Sequence, residues 1–128
     1  MIRRWIYHSE AEFQARHALT LYRGQAEDSH DHQWRVAIRV GVEHLNSEHY
    51  GIDFHAVHRA LDEAVSPLDG TDLNDHPTIS NPSPTAESVA LFIADALKNP
   101  IERLGGTLLE ISVWEGPDNQ VDLRMDVG

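Results

Sequence analysis

The stretch HDHQWRVAIRVGV, His30–Val42, decides the fold. His32, Trp34, Val36, Ile38, Val40 and Val42 share one parity, and Asp31, Gln33, Arg35, Ala37 and Arg39 share the other. Strict alternation of apolar and polar residues predicts a strand with one buried face. His30 and His32 lie two apart on that same parity, which places their imidazoles on one face, about 6–7 Å apart along the strand.

Upstream, RRWIYHSEAEFQARHALTLY also reads as extended, with Phe13, Ala15, His17 and Leu19 on one parity. A small, polar loop, RGQAEDS, separates the two runs, so they are expected to pair as a hairpin that brings His17 opposite His30 or His32. Three neutral imidazoles suit zinc, and three protein ligands leave a fourth position open for water or substrate. The alternative for the pair alone is two partly exposed histidines at a strand start. His8, His44, His49, His55 and His58 read as surface or packing residues, with His58 hydrogen-bonded at the edge of the core.

Downstream the period changes. Phe54, Val57, His58, Leu61, Ala64, Val65 and Leu68 recur at three and four, predicting an amphipathic helix from Asp53. A second helix is expected from about Thr85 through TAESVALFIADALKNPIERL, with Thr85 as N-cap and Glu87 in its first turn. Between them SPLDGTDLNDHPTISNPSP, with four prolines, is too long to be a mere connection in so small a domain. After Gly105-Gly106, TLLEISVWEG places Leu109, Ile111, Val113 and Glu115 on one face, GPDN turns, and QVDLRMDV alternates again. The order strand, strand, helix, helix, strand, strand predicts an α+β domain spanning residues 1–128, an antiparallel four-stranded sheet with two helices on one face. Two helices leave apolar sheet edges for other subunits to bury, so a homo-oligomer is expected.

Composition narrows the function. The chain has 128 residues, 41% of them hydrophobic, enough for a core without staples. It has no cysteine, which removes thiol catalysis, disulfides and cysteine-ligated metal. A net charge of −11 with no basic cluster argues against a nucleic-acid partner. No apolar run is long enough to cross a membrane, and MIRRWIYHSE lacks the apolar core of a signal peptide, so a cytoplasmic location is expected.

Six motifs in order, FQARH (13–17), HDH (30–32), GIDF (51–54), LDGTDLND (68–75), NPSPTAES (81–88) and ISVWEG (111–116), resemble the 6-pyruvoyl-tetrahydropterin synthase / 6-carboxy-tetrahydropterin synthase family over nearly the whole chain. The resemblance implies the tunnelling fold (T-fold), assembled as trimers or dimers of trimers, with active sites between subunits. It implies that His17, His30 and His32 hold Zn2+ and that Glu115 anchors a pterin ring, whose adjacent N–H and NH2 donors a carboxylate can accept as a pair. Thr85 and Glu87 match the family's Pro-Thr-x-Glu helix start and would line the substrate site, although capping alone accounts for them. Asp53 likewise matches the Asp-Phe pair that opens the first helix.

The chain also departs from the family. The usual catalytic cysteine, four residues before the first histidine of HxH, is Ala26, and the usual HGH is HDH, with Asp31 for the glycine. The loop Asp-His pair is Asp69-Gly70, leaving His76 as the substitute histidine in that loop. EDSHDH resembles a Glu-x-x-His-x-His subgroup in which a glutamate, here Glu27, replaces the cysteine as base; the alternative is an acidic solvated loop. The implied activity is a zinc-dependent lyase acting on the side chain of a reduced pterin such as dihydroneopterin triphosphate. Glu27 would be the base, assisted by Asp69 or His76. Two other readings stay open: a zinc-binding homologue with another heterocyclic substrate or reaction, and an inactive ligand-binding homologue.

Overall fold

The computed structural model describes residues 3–20, 23 and 28–125. These form β1 (Trp5–His17), β2 (His30–Val42), α1 (Phe54–Val65), β3 (Thr71–Asp72), α2 (Ala86–Arg103), β4 (Thr107–Glu115) and β5 (Asn119–Arg124). The α+β class and the two helices are as the periodicity predicts. The sheet has five strands rather than four, in the order β3-β1-β2-β4-β5. The added strand, β3, lies in the proline-bearing loop and pairs parallel to β1 at Ala15 and Arg16. At two residues it is too short to have a period, so alternation could not reveal it.

The buried face of the sheet is the one read from alternation. Trp34, Val36, Ile38 and Val40 are fully buried, opposite Phe13, Ala11 and Ser9 of β1 and beside Val113 and Ile111 of β4. The helices close this layer with Val57, Leu61 and Val65 from α1 and Val89, Ile93, Leu97 and Ile101 from α2. Asp53 caps α1 by accepting the His55 N–H at 2.8 Å, and Thr85 caps α2 by accepting the Ser88 N–H at 3.0 Å. One expectation fails at a bulge. The β2–β4 register shifts between Arg39 and Val40, so Leu108 takes the helix-side place opposite Val40. Leu109 instead packs over Gly41, where an added Cβ would meet its side chain at 2.9 Å. Glu115, past the bulge, keeps the parity of Ile111 and Val113.

The other face of the sheet carries no helix and is polar. Glu110, 5% exposed, is held there by Arg39 and Arg124. No described helix is long and apolar enough to cross a membrane. His58 is hydrogen-bonded as expected, through Nδ1 to Ser9 Oγ at 3.0 Å, with Nε2 3.2 Å from Asp62, but its side chain is exposed rather than set at the edge of the core.

Trp34 couples this core to the histidines. Its ring stacks on Phe13 at 5.8 Å, its Nε1 donates to the Ala15 carbonyl at 3.2 Å, and the ring edges of His17 and His32 pack against it. Trp34→Ala should destabilise the fold by about 3–5 kcal/mol, the cost of emptying a large core site. Denaturant unfolding would measure it as a lower midpoint at unchanged m-value.

Candidate active site

The β1–β2 register sets His17 directly opposite His30 and Ala15 opposite His32, so three histidines converge at one end of the sheet. Their rings meet edge to face, with centroids 4.9 Å (His17–His30), 4.4 Å (His30–His32) and 5.1 Å (His17–His32) apart. β4 delivers Glu115 to the same place, opposite Trp34. One ligand atom from each of His17, His30, His32 and Glu115 lies within 4.8 Å of all the others. Among the described residues this is the one group of three or more such side chains arranged to hold a metal ion.

Backbone carbonyls fix two of the imidazoles. His17 Nδ1 donates to the Pro84 carbonyl at 2.8 Å, and His30 Nδ1 donates to the Asp28 carbonyl at 2.9 Å. A carbonyl can only accept, so both Nδ1 atoms carry hydrogen and both Nε2 atoms are left as the ligating nitrogens. This is the outer-shell arrangement that orients metal-binding histidines. His17 Nε2 lies 2.8 Å from Glu115 Oε1, so in the metal-free site a proton joins them, and a metal ion would take that proton's place.

His32 supplies the strongest test of fit. Its Nε2 is buried and has no hydrogen-bond partner, although Glu115 Oε1 is 3.2 Å away, too poorly aligned to bond it. An orphaned buried nitrogen is costly, and a cation among these donors would satisfy it. Burial lowers the His32 pKa, outweighing the nearby Glu115 charge, so the ring presents a lone pair at neutral pH. The Glu115 carboxyl is held below its ordinary range, chiefly by the His17 hydrogen bond and against the effect of burial. Three imidazoles and a carboxylate form a donor set that fits zinc.

Beside this group lies a cavity of about 560 Å³, with Glu115 in its wall. Thr85 and Glu87, from the start of α2, share that wall, so the three residues assigned to substrate from sequence converge on one space. Leu19, Asp118, Asn119 and Gln120 also line it. Sequence reasoning missed these four: GPDN explains Asp118 and Asn119 as turn residues, and nothing in the alternation shows that Leu19, after β1, and Gln120, in β5, face the same space.

The long loop positions the site. Asn74 bonds both backbone groups of Ala18, by Oδ1 from its N–H at 2.8 Å and by Nδ2 to its carbonyl at 2.9 Å. Ser83 Oγ accepts the Thr20 N–H at 3.1 Å. These ties bring the Pro84 carbonyl to His17. Asp69 Oδ1 accepts the Gln14 N–H at 2.8 Å, and Gly70, in the left-handed region with φ +76°, donates to the Gln14 carbonyl at 2.7 Å. His76 Nδ1 accepts the N–H groups of Thr78 and Ile79, and its ring packs on Phe92 at 4.7 Å. Asp69 thus extends the edge of β1 and His76 closes a turn; neither belongs to the metal-ligating group. Ala26 and Glu27 lie outside the described residues.

Known proteins share this architecture. The Caenorhabditis elegans 6-pyruvoyl tetrahydropterin synthase superposes with a TM-score of 0.81 at 15% identity, covering 98% of each chain. A Plasmodium vivax 6-pyruvoyltetrahydropterin synthase, in a variant whose catalytic glutamate is replaced by alanine, gives 0.77 at 15% identity, over 98% of this chain and 99% of that one. The uncharacterised protein WS1659 from Wolinella succinogenes gives 0.78, also at 15%, over 97% and 99%. At such identities the likeness is one of fold, which is the T-fold expected from the motifs. No curated protein sequence matches the chain. The sequence profile of the 6-pyruvoyl tetrahydropterin synthases, however, matches residues 6–126, from β1 past the end of β5, and the chain therefore belongs to that family.

Proposed function

We propose that this protein is a zinc-dependent lyase acting on the side chain of a reduced pterin. The observation that carries the reading is the shared position of Glu115, which stands both in the histidine group and in the wall of the cavity that Thr85 and Glu87 line. His17, His30 and His32 would hold the ion through Nε2. Zinc bound there would polarise the substrate oxygens it meets, lowering the cost of removing a proton from the adjacent carbon. Once His17 Nε2 is committed to the metal, the Glu115 carboxylate is released from it and can accept paired N–H donors of a pterin ring. The Thr85 hydroxyl and Glu87 carboxylate would orient the remainder of the substrate.

Glu27 is the proposed base. In sequence Glu27 directly precedes Asp28, whose carbonyl is bonded to the ligand His30. The Plasmodium vivax relative, whose catalytic residue is a glutamate, supports a carboxylate in this role. An apolar surrounding would raise a carboxylate's pKa toward that of a working general base. Beyond Ala15 and Arg16 the outer edge of β1 has no described strand partner, and Trp5 and Ile6 on it are about half exposed. That edge supports assembly as a homo-oligomer, a trimer or dimer of trimers.

Zinc-loaded protein assayed on dihydroneopterin triphosphate should release a cleaved or eliminated pterin product, and Glu27→Ala should lower kcat by about 100-fold or more, the range for loss of a general base. A fully active Glu27→Ala would remove Glu27 from the mechanism. A second reading, the same metal and cavity serving another heterocycle, is favoured by Ala26 and Gly70, which replace the family's cysteine and loop histidine. It predicts an inactive wild type that binds zinc and a different ring.

A further inference from the structure

Ala18 stands between the two halves of the site. His17, before it, is the histidine that the Pro84 carbonyl orients, and Leu19, after it, lines the cavity. Residues two apart share a side of an extended chain, so a backbone held extended at Ala18 aims both side chains the same way. The sheet itself does not hold it there. β1 ends at His17, whose partner is His30, and on its other edge β3 pairs only with Ala15 and Arg16. Ala18 lies beyond every strand pairing of the described residues.

Asn74 takes the place of the missing strand. Its Oδ1 accepts the Ala18 N–H at 2.8 Å, and its Nδ2 donates to the Ala18 carbonyl at 2.9 Å. A side-chain amide offers the same acceptor and donor as a peptide group, so Asn74 carries the edge of the sheet one step past β3. Asn74 is itself fixed. Asp72 Oδ1 accepts its N–H at 3.0 Å, and its neighbour Leu73 is fully buried, which anchors the short turn in the core. Asn74 belongs neither to the metal-ligating group nor to the cavity wall. We propose that Asn74 is a positioning residue for both halves of the site, setting His17 for the metal and Leu19 for the substrate through the backbone of Ala18. This rests on the zinc and pterin readings given above.

The test compares the wild type with Asn74→Ala and with Thr71→Val. Asn74 is exposed, so its truncation empties no core site. Thr71 Oγ1 donates to the Leu68 carbonyl, a bond within the same loop that does not involve Ala18, which makes Thr71→Val the control for a loosened loop. Asn74→Ala should weaken zinc binding by about tenfold or more, the range for outer-shell changes at metal-binding histidines. The visible spectrum of the cobalt-loaded variant should change as well, which a less stable but intact site would not produce. At saturating zinc, calorimetric binding of dihydroneopterin should weaken by about fourfold or more, the order of one lost methylene contact. Thr71→Val should leave all three readings as in the wild type. Wild-type zinc affinity in Asn74→Ala would overturn the positioning role and leave the zinc reading intact. Equal losses in Thr71→Val would overturn the assignment to Asn74. Unchanged dihydroneopterin binding at saturating zinc would overturn the Leu19 half. A wild type that takes up no zinc would overturn the zinc reading, and this proposal with it.

Discussion

His32→Ala is expected to lower zinc affinity by at least about 100-fold and to abolish turnover, because a three-histidine site that loses one ligand keeps only two imidazoles in place. His32 is the most diagnostic of the three. His17 and His30 each have a carbonyl partner at Nδ1, and His17 is bonded to Glu115 as well, so replacing either disturbs contacts that exist without metal. His32 Nε2 has no hydrogen-bond partner in the metal-free protein. His32→Ala should cost the packing of its ring on Trp34 with or without zinc and, beyond that, remove most of the stabilisation that zinc confers. Thermal unfolding with and without zinc, alongside zinc titration, reads both quantities, since binding to the folded state raises the midpoint by mass action. A variant that bound zinc as tightly as the wild type would take His32 out of the ligand set.

Glu115→Gln is expected to weaken pterin binding by about 10–100-fold, the equivalent of losing charged hydrogen bonds worth about 1.5–3 kcal/mol. The amide keeps the volume but offers one acceptor and one donor where the carboxylate offers two acceptors. Zinc content separates the two roles open to this residue. If Glu115 serves the ring, the variant retains zinc on the three histidines and loses pterin, measured by calorimetry on the loaded protein. If it is instead a permanent fourth ligand, zinc affinity falls while the cavity still takes up pterin, and the anchoring role is withdrawn.

Most of the layout behind these predictions was legible in the sequence, and the parts that were not have physical reasons. Parity alone placed His30 and His32 with Trp34 on the buried face, because a one-residue slip would have put the whole apolar set in water. Parity also turned Glu115 inward with Ile111 and Val113. It failed for Leu109, where a bulge inserts a residue that alternation cannot anticipate. The carbonyls of Pro84 and Asp28, which orient His17 and His30, have no sequence signature, since every residue carries one. His76 stood out in the loop as a titratable residue, yet its Nδ1 accepts two backbone N–H groups that a tight turn would otherwise leave unbonded. Asp118 of the turn and Asn119 and Gln120 of β5 reach the cavity only because β5 folds back beside β4, a tertiary fact.

The central claim is that His17, His30 and His32 form a zinc site at the mouth of a substrate cavity. X-ray absorption at the zinc edge on the purified, zinc-loaded protein tests it most directly. The account predicts about one zinc per chain with three nitrogen ligands at about 2.0–2.1 Å and the remaining coordination from oxygen. A protein that takes up no zinc, or a spectrum with fewer than three imidazole ligands, would contradict it.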